Sequence, residues 1–238
     1  MASVTLGIET SGLAGLVAIR RDGVLLEERE LEHTRRRHAQ TLILELQTLL
    51  RNYEIPPTDV GIVGVSHGPG SFTGLRVGIV VAKTFAYATN CRLVAVDTFA
   101  AIAEAADESV TSLTVVSDAQ RQQLFVGEYV RNNASQLFER SSDISIADAD
   151  AWCKSLADHV APGFAIAGPV LSRLQELLPP DVRQLPGPDW QPRAAAVAAI
   201  ADRLAAAEQF ADSFGLEPFY RRKSSAEEKR DAQCLPTK

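Results

Sequence analysis

Long apolar runs are missing from this chain. None approaches the roughly 20 residues needed to cross a bilayer. The opening Met1-Ala2-Ser3-Val4 also lacks a basic stretch leading into an apolar one, so the expectation is a cytoplasmic protein with no membrane contact. Cysteine is scarce: Cys91, Cys153 and Cys234 lie far apart and form no CxxC pair. That excludes a disulfide framework and leaves Cys91 and Cys153 as small apolar packing groups. The four histidines, His33, His38, His67 and His159, include no pair three or four residues apart, so no helical face offers two imidazoles to a metal. Cationic excess is absent too. At a formal net charge of −6 the chain makes a poor stand-alone nucleic-acid binder, although Arg35-Arg36-Arg37 and Arg221-Arg222-Lys223 allow local contacts.

What is present is ordinary globular material. Hydrophobic residues make up 46% and charged residues 23% of 238 positions, enough to bury one large core or two smaller ones. The pattern predicts strands at Val4–Glu9, Gly15–Arg20 and Val24–Leu31, with Arg21-Asp22-Gly23 as a hairpin turn. A helix over His38–Tyr53 stops before Pro56-Pro57. A strand at Val60–Ser66, a helix at Thr73–Thr89, a strand at Leu93–Val96 and a helix at Thr98–Ala106 complete a βββαβαβα series.

The order then repeats. Strands are predicted at Leu113–Ser117, Leu124–Val130 and within Ser135–Ile146, a helix at Asp148–Leu156, and a strand at Phe164–Ala167. A helix at Val170–Leu178, a short strand at Val182–Leu185 and an alanine-rich helix near Pro192–Gln209 follow. Gly68-Pro69 leaves the fourth strand of the first half, and Gly168-Pro169 leaves the fourth strand of the second. Two similar units of about a hundred residues indicate an internal duplication. Meandering strands followed by βαβ units give an α/β protein with mixed sheets flanked by helices. In duplicated form this is the actin/hexokinase/Hsp70-like (ribonuclease H-like) architecture. The expected lobes are 1–106 and 107–222, with a polar tail over 223–238.

The densest signal is Ser66-His67-Gly68-Pro69-Gly70-Ser71-Phe72-Thr73-Gly74-Leu75-Arg76-Val77-Gly78. Gly68 and Gly70 let another group approach the main chain, and Ser71 or Thr73 can cap the following helix. The helix start then offers N–H donors to an anion, so Gly68, Gly70, Ser71, Thr73 and Arg76 form a candidate binding loop. The alternative is a tight capped turn that binds nothing.

Along that helix Gly74, Gly78, Ala82 and Ala86 recur every four residues, a smooth ridge suited to a second helix. Two glycines cost roughly 1 kcal/mol each against alanine in a helix interior. The ridge either packs on the protein's own sheet or is a partner interface, and a partner interface is the expectation. Leu44, on the outward face of the first helix, belongs to the same surface. Replacing Gly78 with Leu is then expected to block the partner and spare the fold.

The run from Gly68 to Gly78 resembles the GPGSFTGLRxG signature of the TsaB (YeaZ) family. Glu9-Thr10-Ser11, Arg37-His38, Asp118-Ala119 and Pro218-Phe219-Tyr220-Arg221 match in the expected order. The family's usual Asp-Thr opening is Glu9-Thr10 here, and its Asp-Ala-Arg-x-x-Glu-x-Tyr stretch is replaced by Asp118 to Phe125. The resemblance implies a non-catalytic scaffold for threonylcarbamoyl transfer to the adenosine beside the tRNA anticodon. It implies a heterodimer with the paralogous catalytic subunit TsaD through the helices matching Thr73–Thr89 and His38–Tyr53. A TsaE-type ATPase joins, tRNA is met through the complex, and ATP and Mg belong to the complex rather than to this chain. Separately from the resemblance, the small-residue ridge allows a homodimer in isolation.

In the catalytic paralogue a His-x-x-x-His motif follows the strand after the glycine-loop helix. Here that stretch is Val96-Asp97-Thr98-Phe99-Ala100-Ala101-Ile102, without histidine. The competing reading is a Mg-dependent ATP phosphotransferase of the same fold, with Glu9 and Asp118 facing each other across the cleft. Against it, Gly163, Gly168, Gly187 and Gly215 are isolated, and no Gly-Gly adenosine motif follows residue 140.

Overall fold

The computed structural model describes residues 3–31, 38–134, 137–158 and 161–219. The basic clusters Arg35–Arg37 and Arg221–Lys223, His33, His159, Cys234 and the tail 223–238 lie outside the described residues.

The first half begins with the meander β1 (Val4–Glu9), β2 (Leu16–Arg21) and β3 (Val24–Glu30). Asp22 and Gly23 both take positive φ, as a two-residue hairpin turn demands. After α1 (His38–Asn52), strand β4 (Val60–Gly68) runs parallel beside β1; after α2 (Phe72–Thr89), β5 (Arg92–Asp97) runs parallel beside β4. The sheet order is β3-β2-β1-β4-β5. Every residue of β1 is buried, because helices cover both faces of the sheet's centre. Leu42, Leu46, Leu49 and Leu50 of α1 bury against the sheet, each stabilising by about 1.5–3 kcal/mol.

A short helix α3 (Thr98–Ala103), capped by Asp97 Oδ1 accepting from the Phe99 N–H at 2.9 Å, leads into the second half. There β6 (Ser112–Gln120), β7 (Gln123–Arg131), β8 (Phe138–Arg140), β9 (Ser145–Asp148), α4 (Ala149–Ser155), β10 (Phe164–Ala167), α5 (Leu171–Leu174) and α6 (Ala194–Ala206) follow. The second sheet runs β10-β6-β7-β8, with β9 also pairing β7. Strands β6, β7 and β10 thus repeat the places of β1, β2 and β4. The fourth strands even end alike: Gly68 sits at φ 127° and Gly168 at φ 132°, a backbone setting that side-chain-bearing residues rarely adopt.

The second half is a worn copy, and it departs from the predicted elements. The strand expected within Ser135–Ile146 is split into β8 and β9. The chain leaves the ladder between them, where the Ser141 and Ser142 hydroxyls donate to the Glu128 carbonyl and carboxylate at 3.1 Å. The helix expected over Val170–Leu178 is only the single turn of α5. The strand expected at Val182–Leu185 is one bridge, Ile166 to Gln184. Pro179-Pro180 and Pro186 bracket that stretch and remove the N–H groups that a longer ladder needs.

Helix α6 crosses to the other half and lies on the first sheet, opposite α1 and α2. Asp202 holds it there, accepting from Thr5 Oγ1 at 2.5 Å and from Arg20 Nε at 2.9 Å. In return Phe99, Ile102 and Ala103 of α3 join the core of the second sheet with Leu113, Val115 and Tyr129. Each half therefore lends a helix to the other.

Candidate functional site

The glycine loop joins β4 to α2 beside the end of β1. Ser71 caps α2, its hydroxyl accepting from the Gly74 N–H at 3.2 Å. The Ser71 N–H donates to the Ser11 carbonyl at 2.8 Å, so loop and β1 turn are tied together. A Cβ on Gly70 would stand 2.5 Å from Ser11 Cβ, and one on Gly68 3.0 Å from the Phe219 carbonyl oxygen. The close approach that these glycines permit is therefore used by the chain itself. Gly70, Ser71, Thr73 and Arg76 are exposed, and Gly68 is buried. The Arg76 guanidinium lies over the Phe72 ring at 4.0 Å.

The ridge on α2 faces inward, which corrects the interface assigned to it. Gly78, Ala82 and Ala86 are buried. A Cβ on Gly74 would come within 1.9 Å of the Thr10 carbonyl oxygen, and one on Gly78 within 2.2 Å of Thr10 Oγ1. Small residues every fourth position are what β1 and its turn require to lie against the helix. The opposite, solvent-facing stripe of α2 carries Thr73, Arg76, Val80, Thr84 and Tyr87. Val80 is 60% exposed; on neighbouring α1, Leu44 is 46% exposed and Ile43 shares its outer face. Leu44 is thus placed outward as its spacing predicts, whereas the small-residue ridge of α2 faces inward.

Glu9, at the end of β1, is fully buried. Its Oε1 accepts from both the N–H and the hydroxyl of Ser11, each at 2.5 Å. Its Oε2 and the Ser66 hydroxyl are buried without a hydrogen-bond partner among the described residues. Burial pushes the carboxyl above the ordinary glutamate range, and the bonds from Ser11 offset only part of that rise. Asp118, at the end of β6, is part-exposed and pairs with Arg173 at 2.8 Å. The two acids of the phosphotransferase reading are thus separately engaged, one enclosed and one in an ion pair. Among the described residues no three His, Cys, Asp or Glu side chains come together as a metal site.

One structural segment escaped the sequence reading. Residues 210–219 run as a strap along α2. The Ala211 N–H donates to the Leu93 carbonyl at 2.8 Å, and Lys83 Nζ donates to the Phe214 and Leu216 carbonyls at 2.8 and 3.2 Å. The Phe219 N–H then donates to the His67 carbonyl at 2.7 Å, beside the glycine loop. The spacing of Phe210, Phe214 and Phe219 after a helix was the available signal.

Two sheets that share the order of their first four strands, joined by exchanged helices, give the duplicated actin/hexokinase/Hsp70-like fold. A family model described as TsaD, tRNA N6-adenosine threonylcarbamoyltransferase, matches residues 31–173. The chain belongs to that family and is similar to its TsaB members. The tRNA threonylcarbamoyladenosine biosynthesis protein TsaB of Bacillus subtilis is 26% identical over 159 residues, covering 66% of this chain and 67% of that one. Its Escherichia coli namesake is 30% identical over 129 residues, 53% of this chain and 55% of the relative. Among solved structures, YeaZ from Pseudomonas aeruginosa superposes with a TM-score of 0.75 at 23% identity, over 92% of this chain and 99% of that one.

Proposed function

We propose that this chain is a non-catalytic scaffold subunit in the formation of threonylcarbamoyladenosine in tRNA. It works as a heterodimer with a TsaD-type catalytic paralogue, with a TsaE-type ATPase and tRNA joining through the complex. ATP and Mg serve the complex and are not held by this chain. The names of the relatives support the pathway. The observation that carries the scaffold role is the state of the glycine loop: Thr10 and Ser11 of the same chain occupy the approach that a substrate would need. Beside it the apolar outer faces of α1 and α2, with Ile43, Leu44 and Val80, lie open on adjacent helices and suit a helical partner. The same face accounts for a homodimer when the partner is missing.

The test is threonylcarbamoyl transfer to tRNA by the matching paralogue and ATPase, with and without this chain. Activity that needs this chain, and is absent with this chain alone, is the expected result. Transfer that proceeds equally without it overturns the scaffold role.

A further inference from the structure

The strap and the far end of α2 enclose a groove of about 560 Å³, lined among others by Tyr87, Asn90, Arg92, Phe210, Ser213 and Phe214. That is within the roughly 300–1,000 Å³ common for ligand sites. Tyr87 and Phe214 meet edge to face, ring centroids 6.1 Å apart, yet stay 77% and 79% exposed. A single surface aromatic is unremarkable; two that pair across a groove mouth make an apolar patch of the kind that marks a contact site. Arg92 stands over the Phe210 ring, its guanidinium carbon 5.0 Å from the centroid. It has no carboxylate partner among the described residues, whereas other arginines of this acidic chain, such as Arg20, Arg140, Arg183 and Arg203, are paired. The strap carbonyls of Phe214 and Leu216 already accept from Lys83, and the Leu93 carbonyl accepts from Ala211. Recognition here therefore falls to side chains rather than to an added strand.

We infer that this groove docks a short peptide segment of a protein partner, one that sets a carboxylate beside an aromatic or aliphatic side chain. The carboxylate pairs with Arg92, whose guanidinium Phe210 holds flat, and the apolar side chain enters between Tyr87 and Phe214. Asn90 and Ser213 offer hydrogen bonds at the rim. A nucleotide or RNA strand fits less well, because a lone guanidinium on a chain of net charge −6 neutralises little phosphate. The inference stands apart from the proposed scaffold role, and neither fails with the other.

The test uses isotope-labelled full chain and the N-acetylated, C-amidated peptide Asp-Phe-Asp-Leu, with Asn-Phe-Asn-Leu and AMP as comparators. Saturating amide shifts at Tyr87, Asn90, Arg92, Ser213 and Phe214 are expected with the acidic peptide. The amide peptide should bind at least about fivefold more weakly, and Arg92→Glu should cost about tenfold or more, while Arg92→Lys, which keeps the charge but not the flat fork, should cost less than Arg92→Glu. Arg92 is exposed, so both variants should melt with the unaltered protein. Equal binding of the two peptides, stronger shifts with AMP, or no saturation by about 5 mM peptide overturns the assignment.

Discussion

The Thr10 hydroxyl donates to the Gly74 carbonyl at 2.8 Å, pinning the turn after β1 into a notch in the helix that follows the glycine loop. This bond spans 64 residues and explains the small-residue ridge of α2 as a seat for the protein's own chain. Overpacking a closed contact of this kind costs about 1–3 kcal/mol, and more when backbone must move. Gly78→Leu should therefore lower stability by at least that much, measured by urea unfolding, instead of sparing the fold. Unchanged stability would show that the notch can open.

Partner binding should respond to the other side of the same helix. Leu44→Glu and Val80→Glu place charge on exposed positions, so the melting temperature should hold. Affinity for the paralogous subunit, measured by calorimetry, should fall by about tenfold or more for each, because a charge would be buried without a partner. Normal affinity in both variants would move the interface elsewhere.

Glu9 gives a pH signature. Burial raises its folded-state pKa, so the folded protein keeps the proton to higher pH than the unfolded chain does. The resulting stabilisation is complete below about pH 4.3, the unfolded value, and is lost as pH rises through the raised folded value. A neutral Glu9 can donate from Oε2 to the Ser66 hydroxyl, which would satisfy both orphaned atoms. Among the described residues the nearby polar groups are engaged elsewhere: Arg193 pairs with Glu28, His67 Nδ1 donates to the Val96 carbonyl, and Asp97 accepts from Tyr129. Glu9→Gln keeps the shape and cannot ionise. The stability difference between variant and parent, followed from about pH 4 to pH 8, should grow in the variant's favour. A flat difference would mean that Glu9 ionises in the folded protein as easily as in the unfolded chain.

Tyr129 ties the halves together, its hydroxyl donating to Asp97 Oδ2 at 2.8 Å from β7 of the second sheet to the end of β5 in the first. Burial and the neighbouring Asp97 carboxylate both hold its phenol proton far above the ordinary range, so the hydroxyl remains a donor. Tyr129→Phe should cost about 1–2 kcal/mol in thermal unfolding and leave the fold unchanged. A neutral result would assign the inter-lobe connection to the exchanged helices and to the Arg140–Asp97 ion pair.

Much of the first half was readable in advance. Apolar runs bounded by Asp22-Gly23 and Pro56-Pro57 set β1 to β4, and Ser71 caps α2 as its place before the helix suggested. Local rules suffice where each element carries its own start and stop. The second half was harder, because its third strand, α5 and the Gln184 bridge are remnants whose length depends on neighbours and flanking prolines.

The sequence by itself determined the duplication, the mixed-sheet architecture, the helix cap and the family signature, since these rest on spacing and residue type along the chain. Only the tertiary structure decided which side of α2 is buried, that α6 crosses to the first sheet, that Glu9 is sealed with Ser11, and that residues 210–219 strap the helix. A four-residue period of small side chains looks the same whether the facing backbone belongs to this chain or to another. What separates the two is the position of Thr10, 64 residues away in sequence and in contact in space.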